Sequence, residues 1–569
     1  MPDHKLIIYQ LLPRLFGNTN TTNKIYGSVE ENGVGKLNDI TDKALTEIQT
    51  MGFSHVWYTG VIEHATMTDH SAFGIKTDDP DVVKGRAGSP YAIKDYYDIA
   101  PDLAVDVDNR ISEFKELIDR THKSGMKVII DFVPNHVART YASDAKPAGV
   151  RDFGEDDDNT MHFAPCNDFY YMPCYPFVVP GGYNPGGDEF KSPLKDGKFD
   201  EFPAKATGND VFNPAPGIND WFETIKLNYG VYYLDGKRSY FDQIPPLWNK
   251  MHHILSYWAD MGVDGFRCDM IEMVPVEFWA WLIPRLKEVY PGLIFIGEAY
   301  DKNQYCNYIQ NGRFDYLYDK VGLYDAIRRL TCNEPGANTW QINDVWNNHT
   351  RDIDQHMLRF MENHDEQRIA SNNFAGDAFL AVPGMIVSAT LATGPVMIYS
   401  GQEVGEPAAG ASGFSGDDGR TTIFDYWGVP GHQKWLNNGK FDGGQLSAQQ
   451  KELRGFYSKL LNTVKGNEAL RNGSFYELMI ANEQQPGFDT MLYTYLRYTS
   501  HQRVLVIVNF SRQDKSIKLK LPDDLLSKWN LQGEVIFTDL LSNKVFKTNN
   551  MQAGVDITVH AASGLLLNL

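Results

Sequence analysis

Three acidic residues carry the chemistry open to this sequence. Asp269 closes the run Gly265-Phe-Arg-Cys-Asp, Glu298 closes Leu293-Ile-Phe-Ile-Gly-Glu, and Asp365 closes Arg359-Phe-Met-Glu-Asn-His-Asp. On an extended strand alternate side chains share a face, so Arg267 and Asp269 point together into one cavity while Phe266 and Cys268 point away. A permanent cation beside a carboxylate favours the ionised acid and readies it as a nucleophile. An isolated Arg-x-Asp is more often a buried structural pair. Two further apolar strands ending in acids shift the reading toward nucleophilic and acid–base work. Cys268, on the far face, reads as an inert buried thiol.

Eight apolar runs can position such groups: 6–16, 53–62, 127–133, 265–270, 293–300, 314–318, 359–362 and 395–400. Several are apolar on both faces, the pattern of parallel strands covered on both sides. Amphipathic runs lie between them. One spans 107–124, with Asp108 as its cap, Ile111, Phe114, Leu117 and Ile118 at helical steps, and Gly125 as its stop. Eight strand–helix repeats predict an α/β fold, a (β/α)8 TIM barrel, in which chemistry sits where strands end. Between His136 and Pro245 the pattern dissolves into Gly, Pro, Asp and aromatic residues, which predicts an inserted domain walling one side of a cleft. A Gly-rich loop at 404–444 follows the eighth strand, and alternating runs at 504–509, 517–521 and 555–560 predict an antiparallel β-sandwich. The expected domains are therefore a catalytic barrel of 1–136 and 246–466, an insertion of 137–245 after strand 3, and a C-terminal sandwich of 467–569.

The 569 residues suffice for two to four domains. A formal charge of -20 argues against nucleic acid or an anionic membrane surface, whereas neutral carbohydrate fits, with 13% aromatic residues to supply flat faces for sugar rings. No apolar run is long enough to span a bilayer. Strand-like sequence begins at Leu6, so the chain reads as cytoplasmic if Met1 is the native start, or as periplasmic or secreted if an export signal was removed. Five cysteines without metal-site spacing argue against a disulfide framework; Cys166 and Cys174 could pair within a loop. Oligomeric state leaves no mark in the sequence.

Four short stretches in order, Asp131-Phe-Val-Pro-Asn-His136, Gly265-Phe-Arg-Cys-Asp269, Gly297-Glu298 and Asn363-His-Asp365, resemble the α-amylase family of glycoside hydrolases, glycoside hydrolase family 13. The resemblance runs the whole length of the chain. It implies Asp269 as nucleophile, Glu298 as general acid and base, and Asp365 as the carboxylate that stabilises the transition state. It further implies that His136, Arg267 and His364 hold the sugar at the point of cleavage, and that the sugar stacks on Tyr91 of Tyr91-Ala-Ile-Lys-Asp95. The implied activity is retaining hydrolysis of α-1,4 bonds in starch, glycogen or maltodextrins. The alternatives are transglycosylation on the same acids and noncatalytic glucan binding. Asp131 and Asn135 read more readily as ties between insertion and barrel. His364 and Asp365 are adjacent and would face opposite ways on a strand, so both reach sugar only if the strand has already ended.

The chain also departs from the family. Glu272 and Met273 stand where many relatives carry Lys-His, which puts the usual sugar contacts beyond the cut in doubt. Lys226, in Thr224-Ile-Lys-Leu-Asn228, stands where calcium-binding relatives have an acid, and Lys36 does likewise in the first loop. An ammonium occupies a cation's place without binding one. The expectation is that no cofactor is required for catalysis, that no side chain here is a metal ligand, and that the family's usual calcium at the boundary of barrel and insertion is absent. The Lys-Leu-Asn pattern looks more like neopullulanases and maltodextrin hydrolases, yet, with the first strand starting at once, the expectation is that the N-terminal domain common in that group is missing.

Overall fold

The computed structural model describes residues 5–531 and 533–569; Met1, on which the expectation about compartment turns, lies outside them. Eight parallel strands form one sheet: β1 (Ile7–Leu11), β2 (His55–Tyr58), β3 (Lys127–Phe132), β4 (Gly265–Cys268), β5 (Ile294–Gly297), β6 (Tyr316–Tyr318), β7 (Met357–Leu358) and β8 (Val396–Tyr399). β1 pairs with β8, and a single parallel bridge from Arg359 to Val396 joins β7 to β8, so the ring closes. Nearly every strand residue is buried, as a parallel sheet covered by helices requires. This is the expected (β/α)8 barrel.

Several strands end short of the sequence reading: the second stops at Tyr58, Ile62 opens a separate strand, Ile62–His64, and the fifth stops at Gly297. The first stops at Leu11 because Pro13, which fits the first turn of a helix, opens the short helix Pro13–Phe16. The seventh lies at Met357–Leu358 rather than 359–362; Phe360 and Met361 extend the apolar run because they are buried as loop residues beyond the ladder. The helix expected at 107–124 runs Arg110–Lys123 behind a 3-10 turn. Asp108 does not cap it; the Asp106 carboxylate accepts from the Asp108 amide and starts the turn. Gly125 follows at φ +82, a left-handed position that favours glycine.

The insertion is tied to the barrel by the strand pair His136–Ala138 with Thr224–Lys226. Two short pairs, Tyr171–Met172 with Ala204–Lys205 and Val231–Tyr232 with Arg238–Ser239, stiffen an otherwise irregular segment. The helix Ala448–Gly466, capped by Ser447 and Gln450 in a reciprocal box, leads out of the barrel. Beyond it, a six-stranded antiparallel sheet, which includes Leu492–Tyr498, Arg503–Asn509 and Ser563–Asn568, faces the pair Lys515–Leu519 and Val555–Val559 across a separate apolar core. All five cysteines are free thiols, so Cys166 and Cys174 do not pair; both sit exposed on irregular chain. Among the described residues no helix is long and apolar enough to cross a membrane.

Candidate active site

The C-terminal mouth of the barrel gathers the acids. Arg267 of β4 stands in register with Asp131 of β3, so both side chains enter the barrel side by side. Arg267 is fully buried; its Nη1 lies 2.8 Å from Asp269 Oδ1 and 3.5 Å from Asp131 Oδ1, and its Nη2 lies 2.8 Å from Glu298 Oε1 as an ion pair without hydrogen-bond alignment. One guanidinium thus bridges Asp269 and Glu298. Asp269 follows directly on β4 and Glu298 directly on β5, and both are buried. Gly297 brings Glu298 to this point: a Cβ there would lie 2.5 Å from Ile271 Cδ1. Met270 takes a left-handed backbone at φ +43, which aims its N–H at Glu298 Oε2, 3.0 Å away.

Asp365 arrives by another route. The chain has left β7 well before it, and the Asn363 side chain accepts from the amides of Asp365 and Glu366 at 2.9 and 3.0 Å, folding the segment into a tight turn. That turn resolves the parity problem: Asp365 faces the cleft, while His364 is buried against Tyr91, the two rings stacked at 5.3 Å, with His364 Nε2 3.1 Å from Asp365 Oδ2. Asp269, Glu298, Asp365, Tyr91 and His136 line one cleft of about 280 Å³, with Trp221 and Glu223 of the insertion on one wall and Phe414, Ile423 and Phe424 of the loop after β8 on the other.

Electrostatics follow from crowding. Three carboxyls share one cation, so the cluster retains a proton into the neutral range. Burial first, then the Glu298 charge, raises the Asp269 carboxyl above its usual range, and the pull of Arg267 does not overcome them. The expectation that Arg267 alone keeps Asp269 ionised is therefore corrected: its guanidinium is divided among Asp269, Glu298 and Asp131. Asp365 is raised by burial and then by Glu298; the 32% of its side chain left open to the cleft tempers the first cause. His136, pushed down to about 3 by burial and then by Lys226, is neutral, as is His364, lowered by burial and then by Arg267.

Several participants escape sequence reasoning. The Gln10 amide on β1 donates to Thr59 Oγ1 at 3.0 Å and to His364 Nδ1 at 2.7 Å. In the amide orientation that satisfies both, Nδ1 is the acceptor and Nε2 carries the proton toward the Tyr91 hydroxyl. His364 Nε2 bonds the Tyr91 hydroxyl, which donates to Asp131 Oδ1 at 3.2 Å, while Trp57 Nε1 donates to Asp131 Oδ2 at 3.1 Å. Asp131 thus belongs to the cleft network rather than serving only as a tie to the insertion. Asn135 is such a tie: its Nδ2 donates to Gly208 O at 2.7 Å. Glu272 accepts from the amides of Tyr300 and Asp301 at 2.9 and 2.8 Å, and the Tyr300 hydroxyl donates to Glu298 Oε1 at 2.8 Å. An acid that looked like a lost sugar contact therefore orients the loop that steadies Glu298.

A closed parallel barrel whose mouth holds three carboxyls around one arginine, walled by aromatic rings, has the groups needed to protonate a leaving oxygen and to meet positive charge on a carbon. The alpha amylase catalytic domain model matches residues 10–473. The chain belongs to the alpha-amylase family. It is 23% identical over 384 residues to a cyclomaltodextrin glucanotransferase of Geobacillus stearothermophilus, which covers 64% of this chain and 44% of that protein, so the chain spans less than half of that relative's length. It is 20% identical over 452 residues to alpha-amylase 3 of Dictyoglomus thermophilum, 74% of each chain. Among solved structures, the debranching enzyme of Nostoc punctiforme superposes with a TM-score of 0.62 at 17% identity, over 99% of this chain and 98% of that one. That likeness extends to the fold.

Proposed function

We propose that this chain is a retaining glycoside hydrolase that cuts α-1,4-glucosidic bonds of starch, glycogen or maltodextrins. The observation that carries the reading is the bridging of Asp269 and Glu298 by Arg267 beside Asp365 in one cleft. In the proposed course, a protonated Glu298 gives its proton to the departing glycosidic oxygen while an Asp269 oxygen bonds to the anomeric carbon, forming a glycosyl ester. Glu298, now ionised, takes a proton from water, which attacks that carbon and frees Asp269. Positive charge develops on the sugar ring in both steps, and Asp365, on the open side of the cluster, meets it. Tyr91, backed by the stacked His364 ring, offers a flat face to the sugar; the neutral His136 offers an N–H group to its hydroxyls.

The reading also holds that the family's boundary calcium has no place here. Lys226 Nζ lies 2.5 Å from Asn135 Oδ1, 2.6 Å from Asp210 Oδ1 and 3.4 Å from the Met273 carbonyl, with the Tyr233 ring 4.9 Å away. The ammonium uses the oxygens an ion would need, so this donor set does not fit one. Lys36 is used similarly, its Nζ donating to Asp102 O at 2.6 Å.

Chromatography of products over time from amylose, pullulan and maltoheptaose tests the function. Hydrolysis gives only chains shorter than maltoheptaose, released as the α-anomer. Chains longer than the substrate would support glycosyl transfer, a reading favoured by the likeness to the glucanotransferase. Asp269→Asn should lose turnover by four orders of magnitude or so while still binding maltooligosaccharide; unchanged turnover would overturn the assignment.

A further inference from the structure

Four carboxylates converge away from the cleft, where the insertion leaves the barrel. Glu63 lies on the strand Ile62–His64, Asp95 and Asp98 on the antiparallel partner Ile93–Ile99, with Glu63 in register with Asp95, and Asp144 on the first loop of the insertion. One oxygen from each lies within 4.8 Å of all the others. Glu63, Asp95 and Asp98 are almost wholly buried, at 1%, 0% and 0% exposure, and Asp144 is exposed.

The charges do not balance. Arg110 pairs with Asp98, its Nε 2.8 and 2.9 Å from the two oxygens. Lys94 is the other cation nearby, but its Nζ lies 3.7 Å from Glu63 Oε1, beyond hydrogen-bond reach, and 3.3 Å from Asp78, with which it is shared. Asp95 is steadied by the amides of Tyr97, Asp144 and Ala145 at 2.8, 2.9 and 2.9 Å. Glu63 Oε2 has no hydrogen-bond partner although it is buried. An orphaned carboxylate oxygen in the interior is costly, and about two negative charges remain uncompensated.

We infer that Glu63, Asp95, Asp98 and Asp144 bind a divalent cation that clamps the first loop of the insertion to the hairpin beyond β2. An all-carboxylate set selects a hard ion. Calcium accepts an irregular set of oxygens whereas magnesium demands near-ideal octahedral geometry, so four carboxylates fixed by separate elements suit calcium better. Asp144 gives the ion its way in from solvent. The strand Ile93–Ile99 begins two residues after Tyr91, so the clamp also braces the segment that carries the cleft's stacking ring.

The test is thermal unfolding of the chelator-treated chain with calcium or magnesium chloride added, beside terbium luminescence sensitised by the neighbouring tyrosines. The unfolding midpoint should rise by several degrees with millimolar calcium, less with magnesium, and calcium should displace terbium. Asp144→Asn, at an exposed position that leaves the fold intact, should weaken the apparent affinity tenfold or more, and Glu63→Gln should abolish the response. Absence of any calcium response in the unsubstituted chain would overturn the proposal, as would a response that both variants retain. A neutral Glu63 with no ion predicts the first of those results.

Discussion

Replacing Lys226 perturbs the junction of barrel and insertion most directly. The lysine is 1% exposed, and Lys226→Met keeps the volume of its stem while removing the charge. Asn135 Oδ1 and the Met273 carbonyl would then lose a donor in the interior, and Asp210 would lose its ion pair at 2.6 Å. Removing one member of a buried pair costs about 3–5 kcal/mol. The Asp210 side chain keeps 29% of its surface open, so the lower end applies, and the lost ammonium–ring contact with Tyr233 adds up to about 1 kcal/mol. A cost of about 3 kcal/mol corresponds to a fall of roughly 3 °C in the unfolding midpoint of a chain this large. The assay is thermal unfolding by circular dichroism in chelator, in a Glu63→Gln background so that the acidic cluster contributes nothing. Lys226→Asp in the same background places a carboxylate among the same oxygens. It should be as unstable in chelator as Lys226→Met and recover with millimolar calcium. A midpoint within 1 °C of the parent for Lys226→Met would refute the reasoning, and so would a Lys226→Asp chain indifferent to calcium.

Three shorter predictions concern the cleft. Gln10→Leu leaves His364 Nδ1 without its donor and frees the ring to take the wrong tautomer; kcat/KM should fall by about 1–2 kcal/mol, roughly 5- to 30-fold, with binding of an uncleaved analogue weakened less. An unaltered kcat/KM would remove Gln10 from the account. Asp131→Asn removes a negative charge that raises Asp365, so the remaining acids should release their shared proton at lower pH; the alkaline limb of kcat/KM moves acidward, and a fixed limb contradicts this. Tyr300→Phe removes the hydroxyl that steadies Glu298 Oε1, so kcat should fall roughly tenfold with KM little changed, and an unaltered kcat would contradict this role.

Much of this site was legible because its chemistry sits at strand ends. Asp269 and Glu298 each follow immediately on an apolar run that period and length identify as a buried strand. Asp365 was legible as a residue but not as a geometry, since the turn that aims it depends on the Asn363 side chain. Gln10 was silent: a lone amide inside an apolar strand gains its meaning from His364, 354 positions away. Asp131 was undervalued for the same reason, because its partners Trp57, Tyr91 and Arg267 come from three separate elements. The loop after β8 was visible only as Gly-rich chain, whereas Phe414 and Phe424 pack at 4.9 Å between ring centres to build a wall of the cleft. Glu272 and Lys226 were noticed as departures, and the structure gives each a set of contacts that sequence could not supply.

The central claim is that Asp269 bonds covalently to the sugar while Glu298 moves the proton. Incubation with a fluorinated α-glucosyl fluoride, which forms the ester faster than it is hydrolysed, followed by proteolysis and mass spectrometry, tests it most directly. The account predicts one added glycosyl group, on the peptide carrying Asp269. A label on Glu298, or an active enzyme that never acquires one, would contradict it.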